Sequence, residues 1–203
     1  MSRNAVREDC EVRDVDLKAL LQRRKVIPAV KRITDLPVVF ATSKAAVIIL
    51  LGGSINELDE IKRASQKYPD KIFLMHIDLL NGVGKDAEGI RFLKQVGFHG
   101  IVSVKSQLLH VAQEFEMLTV QRLFLLDSES VKSGEKLLKK ISPDAIEILP
   151  AVVPKFVIQE YAKITEQPLL GGGLLRTEED VKIALDKGFD GVTVSRQNLW
   201  NLD

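Results

Sequence analysis

The sequence predicts an α/β fold of the closed (β/α)8 TIM-barrel type, and three observations carry that prediction. Eight short apolar runs alternate with segments of helical periodicity. The units recur at about two dozen residues, as expected of parallel strands joined by helical crossovers. Some runs, residues 46–51 (AVIILL) above all, are apolar without alternation, as in strands covered on both faces. The 203 residues are near the small end for such a barrel, roughly 200 and up. A doubly wound open sheet shares the same alternation and is the alternative. No linker or long insertion marks a second domain, so residues 14–203 are read as one barrel and 1–13 as a polar N-terminal segment.

Taken in order, residues 14–25 put Val15, Leu17, Leu20 and Leu21 on a helical period and end in Arg23-Arg24-Lys25. Cations there suit a helix C-terminus, a better account than RNA contact. Residues 26–30 (VIPAV) form the first strand, followed by Lys31-Arg32 and a helix-like segment toward Ser43. Residues 46–51 are the second, then Gly52-Gly53-Ser54 and a helix with Ile55, Leu58 and Ile61 on one side, ended at Tyr68-Pro69-Asp70. Residues 71–78 (KIFLMHID) are the third, with Asn81-Gly82-Val83-Gly84 as its loop and a helix that stops at Gly97. Residues 101–105 are the fourth, with Leu108, Leu109 and Ala112 inward on the next helix. Residues 118–126 (LTVQRLFLL) are the fifth, and Asp127-Ser128 caps the following helix. Residues 145–149 (AIEIL) are the sixth, and Pro154 suits a first helical turn. The seventh, Pro168-Leu169-Leu170, enters Gly171-Gly172-Gly173, and Thr177-x-x-Asp180 caps a helix that stops at Gly188. Residues 192–195 are the eighth, before a short segment with Leu199 and Trp200.

Composition excludes some function classes. With 29 basic and 28 acidic side chains the net charge is +1, which excludes a nucleic-acid binder driven by bulk charge and leaves a local basic patch open. Cys10 is the one cysteine, so there is no intrachain disulfide framework. The longest apolar run, residues 45–51, is too short to cross a bilayer, and MSRNAVREDCEVRD has no apolar signal core. A cytoplasmic protein with no membrane partner is the expectation, and a homo-oligomer is compatible with it.

Function in such barrels collects at the C-terminal strand ends, and a phosphate often lies between the loops after strands seven and eight. Here those loops hold Gly171-Gly172-Gly173 and Thr193-Val194-Ser195-Arg196. Glycines let a ligand approach backbone N–H groups, which suits an anion. Gly172, Gly173, Ser195 and Arg196 are therefore the expected phosphate-binding residues, against the plainer reading of two ordinary turns. Polar residues inside apolar strands outline a ligand pocket: His76 and Asp78 share a face, and so do Ser103 and Lys105. Glu147 stands between Ile146 and Ile148, and Gln121-Arg122 interrupts strand five, with the inward member left open. Lys105 and Arg122 can pair with Asp78 and Glu147, because a buried charge needs a partner. Such pairs make either an internal salt-bridge layer or a pocket for a hydroxylated anion, and their place at strand ends favours the pocket. No Cys or His spacing supports a metal. Lys132, Lys136, Lys139 and Lys140 share one helix face, a weak RNA-backbone signal beside the plain solvated-surface reading.

The segments HIDLLNGVG (76–84), GIVSVKS (100–106), QRLFLLDS (121–128), PDAIEILPAVVPK (143–155) and GGGLLRTEEDV (171–181) resemble the glycerol-3-phosphate-responsive antiterminator family. The opening IPAVKRITDL (27–36) and the ending near Leu199-Trp200 are similar too, so the resemblance spans about residue 26 to the end. The family more often has glycine at Ala151, alanine at Gly171 and threonine at Val104. The resemblance implies a (β/α)8 barrel that is not an enzyme. It would take glycerol 3-phosphate as effector, with no cofactor, and act on leader mRNA to prevent premature termination in glycerol-use operons. By that reading the phosphate lies on Gly172-Gly173 and Ser195-Arg196, and the hydroxyls meet some of Asp78, Lys105 and Glu147. Two other classes fit the residues: an enzyme on a small phosphorylated sugar or phosphoglycerol with Glu147 as base and Lys105 or His76 as acid, or a barrel that binds only protein partners.

Overall fold

The computed structural model describes residues 15–202, so the predicted segment 1–13, Cys10 and the last residue lie outside the described residues. The strands in chain order are β1 (Val26–Val30), β2 (Val47–Leu50), β3 (Gly53–Ser54), β4 (Ile72–His76), β5 (Leu80–Asn81), β6 (Gly100–Ser103), β7 (Leu118–Phe124), β8 (Ala145–Leu149), β9 (Leu169–Gly172) and β10 (Gly191–Val194). The helices are α1 (Leu17–Arg23), α2 (Leu36–Thr42), α3 (Leu58–Lys67), α4 (Ala87–Val96), α5 (Ser106–Glu114), α6 (Ser128–Leu138), α7 (Lys155–Ile164) and α8 (Glu178–Lys187). Eight parallel strands close in the order β1-β10-β9-β8-β7-β6-β4-β2. Val26 of β1 pairs with Val192 of β10 and Ala29 with Ile49 of β2, so the ring has no edge and the open sheet is excluded. Among the described residues no helix is long and apolar enough to cross a membrane.

Each barrel strand is buried on both faces, which is why the sequence shows no alternation. The structure supplies the parity. Ile27, Ile49, Leu74, Val120, Ala145 and Leu170 fill the interior, and Leu17 and Leu21 of α1 join that cluster. A Cβ on Gly191 at the start of β10 would lie 2.7 Å from Leu21, so α1 closes the N-terminal end. Val30, Ile48, Phe73, Ile101 and Ile146 face the helices in a second, outer core. Four polar residues break the inward set at the other end: His76, Arg122, Glu147 and Thr193 are buried there.

Local signals placed the helix ends well. Asp127 accepts from the Ser130 amide at 2.8 Å, and Thr177 accepts from Asp180 N while Asp180 accepts from Thr177 N. Gly97 and Gly188 end α4 and α8 at φ 111° and 113°, a region that favours glycine. Strand ends were overextended. The third predicted strand stops at His76, because Ile77–Leu79 coils into a 3-10 turn, and the fourth, fifth and eighth stop at Ser103, Phe124 and Val194. Pro154 stands one residue before α7, as its N-cap. The two-residue pair β3–β5, Gly53 with Leu80 and Ser54 with Asn81, carries no periodicity and was not foreseen.

One pair of small residues makes a packing prediction. A Cβ on Gly171 would sit 2.9 Å from the buried Phe189 ring and 3.1 Å from Ala151 Cβ, so Gly171 and Ala151 share one methyl-sized space. These are two of the positions at which the chain departs from the resembled pattern, in opposite senses. Gly171→Ala alone is expected to cost about 1–3 kcal/mol through overpacking. Adding Ala151→Gly is expected to return part of it, the Phe189 contact remaining, and additive penalties in urea melts would refute the shared space.

Candidate functional site at the barrel mouth

The site is built on strand register. Arg122 on β7 stands opposite Glu147 on β8, and both point inward. Arg122 Nε donates to Glu147 Oε2 at 2.6 Å, with the two residues 7% and 1% exposed. Thr193 Oγ1 on β10 donates to the other oxygen, Oε1, at 2.5 Å. Both carboxylate oxygens are thus engaged, which compensates their removal from water. Between β8 and β10 runs β9, and the Thr193–Glu147 bond passes over its Gly172. A Cβ there would lie 2.7 Å from Glu147 Oε1 and from Thr193 Oγ1. Glycine at 172 is therefore required by this side-chain network, a reason the sequence reading, which looked to the backbone, did not supply.

Above the network lies a cavity of about 130 Å³, floored by Arg122 and Glu147 and walled by Gly173, Leu174, Thr193 and Ser195. That is room for roughly four waters' volume of ligand. Gly172 and Thr193 are in register, so the two glycine- and serine-bearing loops leave adjacent strand ends. Gly173 has φ 74° and Leu174 φ 61°. Leu174 is thus a non-glycine residue in the left-handed region, a conformation that costs energy and clusters at functional sites. Among the described residues the amides of Leu174, Ser195 and Arg196 donate to no protein acceptor. Leu174 and Ser195 stand on two adjacent loops and line one concavity above a guanidinium, where free amides can receive a small anion.

The other predicted pocket residues divide. Asp78 is fixed by Ser103 Oγ at 2.9 Å and by the Val104 amide at 3.0 Å. His76 is buried with Nδ1 3.8 Å from Asp78 Oδ2 and without a hydrogen-bond partner. Burial, and then the Arg122 charge, push its pKa down to about 4 against the pull of Asp78 and Glu147. At neutral pH it is therefore an uncharged imidazole, and its approach to Asp78 is no ion pair. Lys105 is exposed, and its amide rather than its ammonium takes part, donating to Ser103 Oγ at 3.0 Å. The expected Lys105–Asp78 pair does not form, because Ser103 and Val104 already occupy that carboxylate. Arg196 is exposed and begins the closing 3-10 turn Gln197–Leu199, and it does not line the cavity. Gln121 points outward, its Nε2 donating to the carbonyls of Val104 and Arg122 at 3.1 Å each. Val104 lies 40% exposed outside the cavity, so the missing threonine hydroxyl does not alter the lining.

Two residues were missed. Thr193 was passed over for Ser195, although inward parity from Gly191 would have selected it. Lys85, in the loop after β5, donates to the carbonyls of Ile77 and Leu80, and burial pushes its pKa down. It pins the turn that carries Asp78. No periodic signal marks it. Among the described residues no three His, Cys, Asp or Glu side chains group as a metal site.

The histidine gives a pH prediction. His76 binds a proton near pH 6.5 when unfolded and near 4 when folded. Unfolding is then favoured as pH falls through that window, and His76 adds nothing to the pH dependence above it. His76→Gln is expected to flatten the rise of stability between pH 4 and 6.5. An unchanged acid limb in pH-resolved urea melts would place the titration elsewhere.

The family model described as glycerol-3-phosphate responsive antiterminator matches residues 26–200. The Escherichia coli K12 protein YgcP, described as uncharacterized, is 34% identical over 184 residues, covering 90% of this chain and 95% of that one. A crystal structure of the glycerol uptake operon antiterminator regulatory protein from Listeria monocytogenes superimposes with TM-score 0.79 at 30% identity, covering 89% of this chain and 96% of that one. A glycerol uptake operon antiterminator-related protein from Thermotoga maritima gives 0.75 at 26%, covering 87% and 98%. Other solved barrels, enzymes among them, match at 12–18% identity, which speaks for the fold alone.

Proposed function

Because the chain belongs to the glycerol-3-phosphate responsive antiterminator family, we propose that it binds glycerol 3-phosphate at the barrel mouth and then acts on leader mRNA of glycerol-use operons. The observation that carries the reading is the cavity between the β9 and β10 loops, with unengaged amides above and Arg122 below. The phosphate takes the amides of Leu174 and Ser195 beside Gly173, near the place the sequence assigned it. The hydroxyls reach toward Glu147 and Thr193. The cavity is of a size for a small phosphate ester.

The enzyme reading has less support. A general base must be free to accept a proton from substrate, whereas both oxygens of Glu147 already accept short hydrogen bonds. Ligand control of RNA binding further requires that glycerol 3-phosphate favour one state of the protein over another.

A thermal-shift panel of phosphorylated metabolites tests the ligand. At a hundred times Kd a ligand adds about 2.7 kcal/mol, or roughly 5–11 °C in Tm for a chain of this size. A selective rise with glycerol 3-phosphate, and leader-RNA binding that depends on it, is the expected result. No shift with any phosphate ester would leave the site without its ligand. No RNA binding in either condition would end the antiterminator reading.

A further inference from the structure

Four lysines lie on α6 and the turn that ends it. Lys132 and Lys136 stand about 6 Å apart along the helix axis, and Lys139 and Lys140 follow as the C-cap and the turn just past Leu138. Gly134 and Leu138 bury the opposite side of the helix. All four lysines are exposed, and none has an ion-pair partner among the described residues. On a chain of net charge +1 this is a local excess of positive charge. Against one shoulder of that face lies a groove of about 450 Å³ between α6 and α7, into which Lys132 also reaches. Leu126 and Phe156 on its walls are 81% and 58% exposed, large apolar surfaces left open beside cations. Asp127, Glu135 and Glu160 line it as well. They repel phosphate from the groove, so a polyanion is held out on the lysines while its uncharged bases turn inward.

Resting on the RNA reading above, we propose that this face is the RNA-binding surface. Phosphates of a single strand follow Lys132, Lys136 and Lys140, and unpaired bases lie on Phe156 and Leu126. Cations tracking the backbone beside an aromatic stacking surface is the combination single strands require. The surface follows directly on an element of the ligand site: Arg122 lies on β7, four residues before Leu126, and Ser130 Oγ of α6 accepts from the amides of Leu126 and Asp127.

The test uses the full chain, leader RNA and saturating glycerol 3-phosphate over a range of salt. Neutralising three contacts (Lys132→Gln, Lys136→Gln, Lys140→Gln) is expected to weaken binding tenfold or more. It is also expected to make the slope of log K against log salt shallower by about 2, at ~0.7 per single-strand phosphate contact. Phe156→Ala is expected to weaken binding about tenfold with the slope unchanged. Lys62→Gln with Arg63→Gln on α3 should change neither. If the wild type binds RNA and the α6 variant, with an unaltered melting point, matches it in affinity and slope, the surface is wrong while the functional reading stands. The lysines would then be left to a protein partner. If the wild type binds no RNA, the functional reading falls and this surface with it.

Discussion

Arg122→Met is expected to lower stability by about 3–5 kcal/mol, because it strands the Glu147 carboxylate inside the barrel. Glu147 is 1% exposed, and its Oε2 has Arg122 as its charged partner at 2.6 Å. Methionine fills much of the space but offers no N–H, so one side of the anion loses its compensation. For a domain of this length the loss corresponds to a Tm drop of roughly 6–20 °C. The double variant Arg122→Met, Glu147→Leu is expected to recover most of it, since a buried pair replaced by apolar residues of similar volume is often neutral. That variant separates two roles of the pair. It should fold, yet it should lose the Tm rise with glycerol 3-phosphate, because the cavity floor has lost its cation. A single variant that melts within about 1 kcal/mol of wild type would show that water, not Arg122, satisfies Glu147. A double variant that keeps the full ligand response would remove the floor from the binding site.

Gly172→Ala is expected to be the next most damaging change, although it adds one methyl group. The backbone there is ordinary strand, so the cost is steric and electrostatic rather than conformational. The new Cβ would lie 2.7 Å from each of the two oxygens that bond across it, and the Thr193–Glu147 hydrogen bond has to lengthen or break. Overpacking costs about 1–3 kcal/mol, and a hydrogen bond to a charged group about 1.5–3. The two overlap, so about 3 kcal/mol is expected. Thr193→Ala on top of Gly172→Ala should relieve the strain in part, by removing one of the two oxygens. Gly52→Ala is the control: its Cβ would meet nothing closer than 3.7 Å. Equal destabilisation at 52 and 172 would show that lost glycine flexibility, and not the buried network, sets the cost.

The antiterminator assignment was legible in the sequence because its motifs fall at strand ends along nearly the whole chain, and the family match over residues 26–200 agrees. The site was legible only in outline. Glu147 could be singled out as a charge between isoleucines, and Gly172, Gly173 and Ser195 as loop residues after two consecutive strands. Arg122, 25 residues away, could be named as a possible partner of Glu147, but Thr193, 46 residues away, could not. Lys105 was chosen for charge at the right position in the chain, but its side chain stays in solvent, as does that of Arg196, which was chosen for its backbone. The Lys105–Asp78 pairing failed because neighbouring groups of β6, invisible as competitors in a linear reading, take the carboxylate first.

The sequence by itself determined the order of the eight barrel strands and their helices and the caps at Asp127, Thr177, Gly97 and Gly188. Those depend on interactions within about four residues, which periodicity and residue type express directly. Only the tertiary structure decided which face of each strand is inward, that Arg122 and not Gln121 enters the barrel, and why position 172 has no side chain. Strands buried on both faces carry no alternation to read. A buried charge, moreover, is satisfied by whichever donor the closed ring brings within reach, and closure joins residues that the linear order keeps apart.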